Sequence, residues 1–125
     1  MKMYLVNPEV MCSQHLEEEH RSIHVIGDMI KNNFDVEEFV DNKLFDLGQL
    51  KKRHDELEKE MEIRGCWNNN PLDIIVPKDH KYYNVIVNQR PMNNVDTYQN
   101  RKELLRHCSR CWERAASLFP DANWI

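Results

Sequence analysis

The strongest constraint on how this chain folds lies near its start, where Asn7-Pro8-Glu9 carries the marks of a helix beginning. An Asn side chain accepts from the free amides of a first turn, proline sits where an amide has no partner anyway, and an acid there opposes the positive end of the helix. Beyond it Cys12, Leu16, Ile23, Ile26 and Ile30 recur at helical spacing, so the sequence predicts a long helix over about 8–32 whose apolar stripe must be buried. On its far side Gln14, His15, Glu18, Arg21 and Ser22 gather towards the N-terminal half, and Val25 and Met29 continue that side in apolar form. Such a helix belongs at the centre of a fold, with its polar end opening on a cleft.

Two further start signals follow. Asp35 with Glu38 has capping-box spacing ahead of Val36, Phe39 and Val40, which predicts a short helix; Asp46 with Gln49 repeats the signal for a second long helix over about 47–64. Leu47, Leu50, Leu57 and Met61 give that helix its apolar face, His54 falls on the same face, and Gly65 is placed to stop it. Over 66–93 the pattern changes: Asn and Pro punctuate short β-favouring runs, Asp73–Val76 and Asn84–Val87, too isolated for a substantial sheet. A last helix is expected over about 94–118, carrying Tyr98, Leu104, Leu105, Trp112 and Leu118 and ending before Pro120. The expectation is an all-α, compact single domain over 1–125, with two or three long helices, a short helix and an irregular, partly extended loop region near 66–93.

Composition enters where partners are concerned. With 17 Lys and Arg against 21 Asp and Glu, a net charge of -4 opposes a DNA backbone unless a local basic patch exists. No apolar run approaches the roughly 18 residues of a membrane span and the start lacks a leader's apolar core, so a cytoplasmic protein is expected, in the host cytoplasm if phage-encoded. In that compartment Cys12, Cys66, Cys108 and Cys111 read as thiols rather than a disulfide framework.

The densest chemistry lies in Gln14-His15-Leu16-Glu17-Glu18-Glu19-His20-Arg21-Ser22-Ile23-His24. Imidazoles titrate near neutrality and carboxylates act as general bases, though a solvated helix face has the same composition. Glu19 is different, because it lies within the apolar stripe and needs a partner such as His54 or an arginine. His20-x-x-x-His24 has the spacing for two ligands on one zinc ion, with Glu17 as a third; a solvated pair is the simpler reading. Cys108-x-x-Cys111 is half of a zinc motif with no second Cys-x-x-Cys to complete it, so no metal and no cofactor are expected. His54 reads as a hydrogen-bonded core histidine. Trp67, Tyr82, Tyr83 and Trp112 could stack on bases, though packing is their commoner use.

The segments YLVNPEVMCSQHLEEEHRSIH and KLFDLGQLKKRHDELEKEMEIRG resemble the phage endonuclease V family of pyrimidine-dimer DNA glycosylase/AP lyases, over about residues 1–66. The resemblance implies an all-α fold in which the N-terminal segment threads beside the first helix and delivers the α-amino group to the active site. In the family that amine attacks C1′ of a damaged nucleotide to form an imine, assisted by a glutamate. Here Met1 would present the amine, since Lys2 is too large for methionine trimming, and an α-amino pKa near 7.7–8 leaves roughly a tenth of it neutral at pH 7. Gln14, His15 and Arg21 correspond by motif to groups around the family's site.

Ser22 stands where the family carries its catalytic glutamate, and it cannot act as a base or stabilise positive charge. Glu18, one turn away on the same face at about 5–6 Å, is the available substitute. The first expectation is therefore a non-catalytic phage-type binding protein on a glycosylase-like scaffold, with Gln14, His15, Arg21 and Ser22 as its ligand-binding residues. Its partner would be a nucleotide or short nucleic acid, such as a host-defence signal that it sequesters as an anti-defence protein. The alternative is an active glycosylase/AP lyase in which Met1 and Glu18 are catalytic. In either case Met1, Gln14, His15, Glu18, Arg21 and Ser22 are expected to line one cleft. No membrane partner is expected, and self-association into a homo-oligomer is left open.

Overall fold

The computed structural model describes residues 1–66 and 70–123. They form six α-helices and no strand: α1 (Ser13–Lys31), α2 (Glu37–Asp41), α3 (Leu50–Ile63), α4 (Tyr83–Val87), α5 (Thr97–His107) and α6 (Ser109–Leu118), with 3-10 turns at Pro8–Val10 and Leu47–Gln49. The all-α expectation holds. None of the helices is long and apolar enough to cross a membrane.

The helix over 8–32 is in fact two pieces. Asn7 caps as expected, its side chain accepting from the Glu9 amide at 3.0 Å, but the first turn is 3-10 and the backbone runs extended at Met11 and Cys12 before α1 begins. Two carbonyls of that turn also accept from a distance: Arg64 donates to Pro8 O at 3.0 Å, beside the Met11 amide, and Arg114 to Glu9 O at 2.9 Å. Similarly, the helix over 94–118 is broken at Cys108, which adopts φ -127° and ψ 107° between α5 and α6. Neither break contains glycine or proline.

The α1 and α3 helices pack against each other through Leu16, Ile23, Ile26, Ile30, Leu50, Leu57 and Met61, all buried. Glu19 has its arginine: Arg53 Nε donates to Glu19 Oε2 at 2.6 Å and Nη2 to Oε1 at 3.1 Å, both side chains being buried. Arg53 also donates to Val6 O at 2.8 Å, which holds the N-terminal segment across both helices. Leu5, just before it, has φ 53°, in the left-handed region that a bulky residue rarely enters. The turn there lies between Tyr4, which packs on His15, and Val6, which faces Arg53.

Asp46 does more than cap. It is fully buried and accepts from the amides of Gly48, Met92 and Asn93 and from the Gln49 side chain, at 2.8–3.0 Å. One carboxylate thus ties the end of the loop region to the start of α3. The loop region is irregular as expected, with one correction: Asn84–Val87 is not extended but belongs to α4, which packs Ile86 on the Leu47–Gln49 turn. Burial of Ile86 outweighs the weak extended preference of two valines and an isoleucine. Beyond α5 the chain returns to the N-terminus, where α6 packs on the Pro8–Val10 turn and Cys111 and Ala115 are buried in the same apolar cluster as Met3, Val10 and Met11.

Candidate functional site

A pocket of about 350 Å³ opens between α1 and the far half of α3, lined by Glu17, His20, Arg21, His24, Met61, Cys66 and Asn70. Two of these, His20 and His24, belong to a cluster of three imidazoles. Helix periodicity puts His20 and His24 one turn apart on α1, and the α1–α3 packing brings His54 beneath them. Ring centroids lie 4.7–4.9 Å apart in all three pairings.

The ring nitrogens converge. His54 Nε2 lies 3.1 Å from His24 Nε2, 2.9 Å from the Asn70 carbonyl oxygen and 3.3 Å from Glu58 Oε1, while His20 Nε2 is 3.1 Å from that same Glu58 oxygen. His54 Nδ1 is 3.0 Å from Asp55 Oδ1, so both of its ring nitrogens face oxygen acceptors, and the tautomer with its proton on Nδ1 towards Asp55 is the one in which Nε2 can serve as a ligand atom. Burial, with the neighbouring His54, pushes the His20 pKa below the usual range against the pull of Glu58; burial and both other rings do the same to His24. A neutral imidazole is the form that binds a divalent transition metal, the form burial favours at His20 and His24, and a carboxylate behind a ligand ring, as Asp55 stands behind His54, is the usual orienting group. Bonds of about 2.0–2.1 Å would separate ligand nitrogens by about 2.9–3.4 Å, a range that includes the observed 3.1 Å. His20, His24 and His54 can therefore hold a metal, with Glu58 within reach. Glu58 was not singled out from sequence, although its spacing four residues after His54 on a helix is the signal that would have found it.

The residues expected to share one cleft have separate surroundings. Arg21, exposed, stands at the rim of the histidine pocket. Gln14, also exposed, accepts from Arg110 Nη2 at 2.7 Å, in a groove with α6. His15 turns its Nδ1 to Cys12 Sγ at 3.1 Å and Cys111 Sγ at 3.6 Å. Ser22 is buried and donates its hydroxyl to the Glu18 carbonyl oxygen at 2.9 Å, so it presents no free polar group, while the Glu18 residue is exposed. Met1 is about half exposed. Among the aromatic candidates Tyr82 and Tyr83 are partly buried in and beside α4, and Trp112 is partly exposed on α6. Trp67 lies outside the described residues.

The cysteines that looked incomplete in sequence are gathered as well. Cys12, Cys108 and Cys111 are buried free thiols arranged around His15, and Cys66 stands apart at the rim of the histidine pocket. Burial pushes the Cys111 thiol up; it opposes ionisation of Cys12 too, but hydrogen bonds from the His15 amide and ring, Arg110 and Cys111 bring Cys12 down to about 6.

A family model described as pyrimidine dimer DNA glycosylase matches residues 1–75. No curated protein and no solved structure matches the chain.

Proposed function

The chain belongs to that glycosylase family, and from this premise we propose that it binds the phosphate-bearing part of a nucleotide, free or turned out of a DNA strand, in the pocket between α1 and α3. The observation that carries the reading is the convergence of His20, His24, His54 and Glu58 under a rim that bears Arg21. A metal on the three imidazoles would take a phosphate oxygen as a Lewis acid, and Arg21 would pair with a second oxygen through its planar fork. A volume of about 350 Å³ falls in the ordinary range for small-ligand pockets, and Arg21 supplies local positive charge on a chain of net charge -4. Binding rather than imine chemistry is favoured by position 22, where a buried serine hydroxyl is committed to the Glu18 carbonyl and no carboxylate stands. Retention without turnover would sequester the nucleotide, which is how an anti-defence role would be exercised.

A thermal-shift screen of the full chain tests this, using mono-, di- and cyclic nucleotides and dimer-containing or abasic duplexes, each with and without zinc or manganese. A ligand that binds only the folded state at a hundredfold excess over Kd adds about 2.7 kcal/mol, which is readily seen. A shift that needs the metal and is reduced in Arg21→Ala is expected; no shift with any nucleotide or duplex contradicts the reading.

The family's amine chemistry keeps one supporting observation. Residues 1–5 run beside the start of α1, with the Tyr4 ring edge-on to His15 at 5.7 Å and Met1 partly open to solvent. Borohydride trapping on an abasic duplex decides this reading: a covalent adduct that disappears when the α-amino group is blocked establishes it, and its absence removes it.

A further inference from the structure

The two helix breaks that nothing local explains place cysteines in matching positions. Cys12 is the residue before α1 and Cys108 the residue before α6, each in extended backbone, and the third residue of each following helix is His15 or Cys111. Two Cys-x-x-ligand turns, distant in sequence, are thereby brought face to face.

Their ligand atoms form a closed group. Cys12 Sγ lies 3.9 Å from Cys108 Sγ and 3.1 Å from His15 Nδ1, Cys111 Sγ lies 3.6 Å from His15 Nδ1, and all four atoms fall within 4.8 Å of one another. A tetrahedral zinc ion with Zn–S near 2.3 Å and Zn–N near 2.0–2.1 Å would separate its ligands by about 3.8 Å for sulfur pairs and about 3.5 Å for sulfur–nitrogen pairs. The observed separations scatter about these values. All three cysteines are buried. Their surroundings also suit thiolates: the Cys12 amide donates to Cys111 Sγ at 3.2 Å, and Arg110 lies beside Cys12 with a guanidinium to offset the excess negative charge of three thiolates on one zinc.

We propose that Cys12, His15, Cys108 and Cys111 form a structural zinc site that clamps α6 to the start of α1. Three cysteines and one histidine close the coordination shell, leaving no open position for substrate, so the ion's role is to hold the fold. Binding needs all three cysteines as thiolates, so it releases to solvent the proton of each one still held as a thiol, and it joins residues nearly a hundred positions apart. Cys108 and Cys111 lie beyond residue 75, so the ion fastens a segment outside the family match onto the segment within it. This site is independent of the histidine pocket.

The test is cobalt titration of the reduced, metal-free full chain, with Co²⁺ as the spectroscopic probe. A thiolate-to-cobalt charge-transfer band with the intensity of three thiolates on one cobalt is expected, retained in Cys66→Ser and clearly weakened in Cys108→Ser and Cys111→Ser. Metal held by imidazoles alone gives no such band, so failure of the histidine pocket leaves this result unchanged. A wild-type measurement stands beside it in case those variants do not fold: with zinc bound, thiol labelling should reach Cys66 alone of the four cysteines quickly, and chelation should expose the other three. No band, a band of undiminished intensity in Cys108→Ser, or thiol reactivity indifferent to zinc would overturn the proposal.

Discussion

At position 53 a guanidinium is buried on a helix face that also carries Leu50, Leu57 and Met61, and its energetics are decided by Glu19. Both groups are almost without solvent, and the pair is bidentate at 2.6 and 3.1 Å. Removing one partner strands a buried charge at about 3–5 kcal/mol, whereas removing both leaves an apolar gap of similar volume. Arg53→Met and Glu19→Leu should therefore each lower the urea midpoint sharply, and the double variant should be more stable than either single one. Equal, additive losses would show that the two charges do not depend on each other. The need for this partner was legible in sequence, because an acid at an apolar stripe position demands one; its identity was not, because Arg53 and His54 are adjacent and only the rotation of α3 decides which faces Glu19. Position 22 permits a second prediction. Ser22→Glu would put a carboxylate in a site now 4% exposed, so stability should fall by about 1–3 kcal/mol, as measured by denaturant titration. If Met1 does reach a bound sugar, the same variant should gain abasic-site cleavage that the wild type lacks.

Among the elements, the 3-10 turn at Leu47–Gln49 has no room for a side chain at Gly48. A Cβ on Gly48 would stand 1.5 Å from the Arg90 carbonyl oxygen and 2.3 Å from its carbon, so the loop that Asp46 holds could not dock. Gly48→Ala should cost about 3 kcal/mol, at the upper end of ordinary overpacking, in thermal or denaturant unfolding. Gly65, at φ 75° with open space around it, should cost only about 1 kcal/mol as alanine, from backbone strain alone. Similar losses at both positions would contradict this account of the turn. The caps at Asn7 and Asp46 and the stop at Gly65 were legible because each acts within a few residues of itself, whereas the N-cap of α2 is Val36 and Asp35, one residue earlier, accepts from the Glu37 amide. The breaks at Met11–Cys12 and at Cys108 were not, since the residues around them continue a helical pattern and the reason for the break lies at the other end of the chain. The short α4 was missed for the same reason: Ile86 is helical because of what it packs on.

For the whole molecule, two half-motifs carry the functional reading, and each was visible alone. His20-x-x-x-His24 acquires His54 and Glu58 only through the packing of α1 on α3, and Cys108-x-x-Cys111 acquires Cys12 and His15 only when α6 returns to the N-terminus. Spacing in one segment cannot report a ligand contributed by another. The expected grouping of Gln14, His15, Arg21 and Ser22 was drawn from helix phase, but neighbouring elements take these side chains one by one: Arg110 for Gln14, the cysteines for His15, the helix's own backbone for Ser22. Arg21 remains at the pocket. The most direct measurement of the central claim is calorimetric titration, in the presence of zinc, of whichever nucleotide gives the largest thermal shift, into the wild-type chain, Arg21→Ala and His24→Ala. The account predicts saturable binding to the wild type and a loss of about tenfold to a hundredfold in affinity for each variant, as expected for a charge-assisted contact and a metal ligand. Undiminished affinity in both variants would place the ligand elsewhere on the molecule and contradict the account.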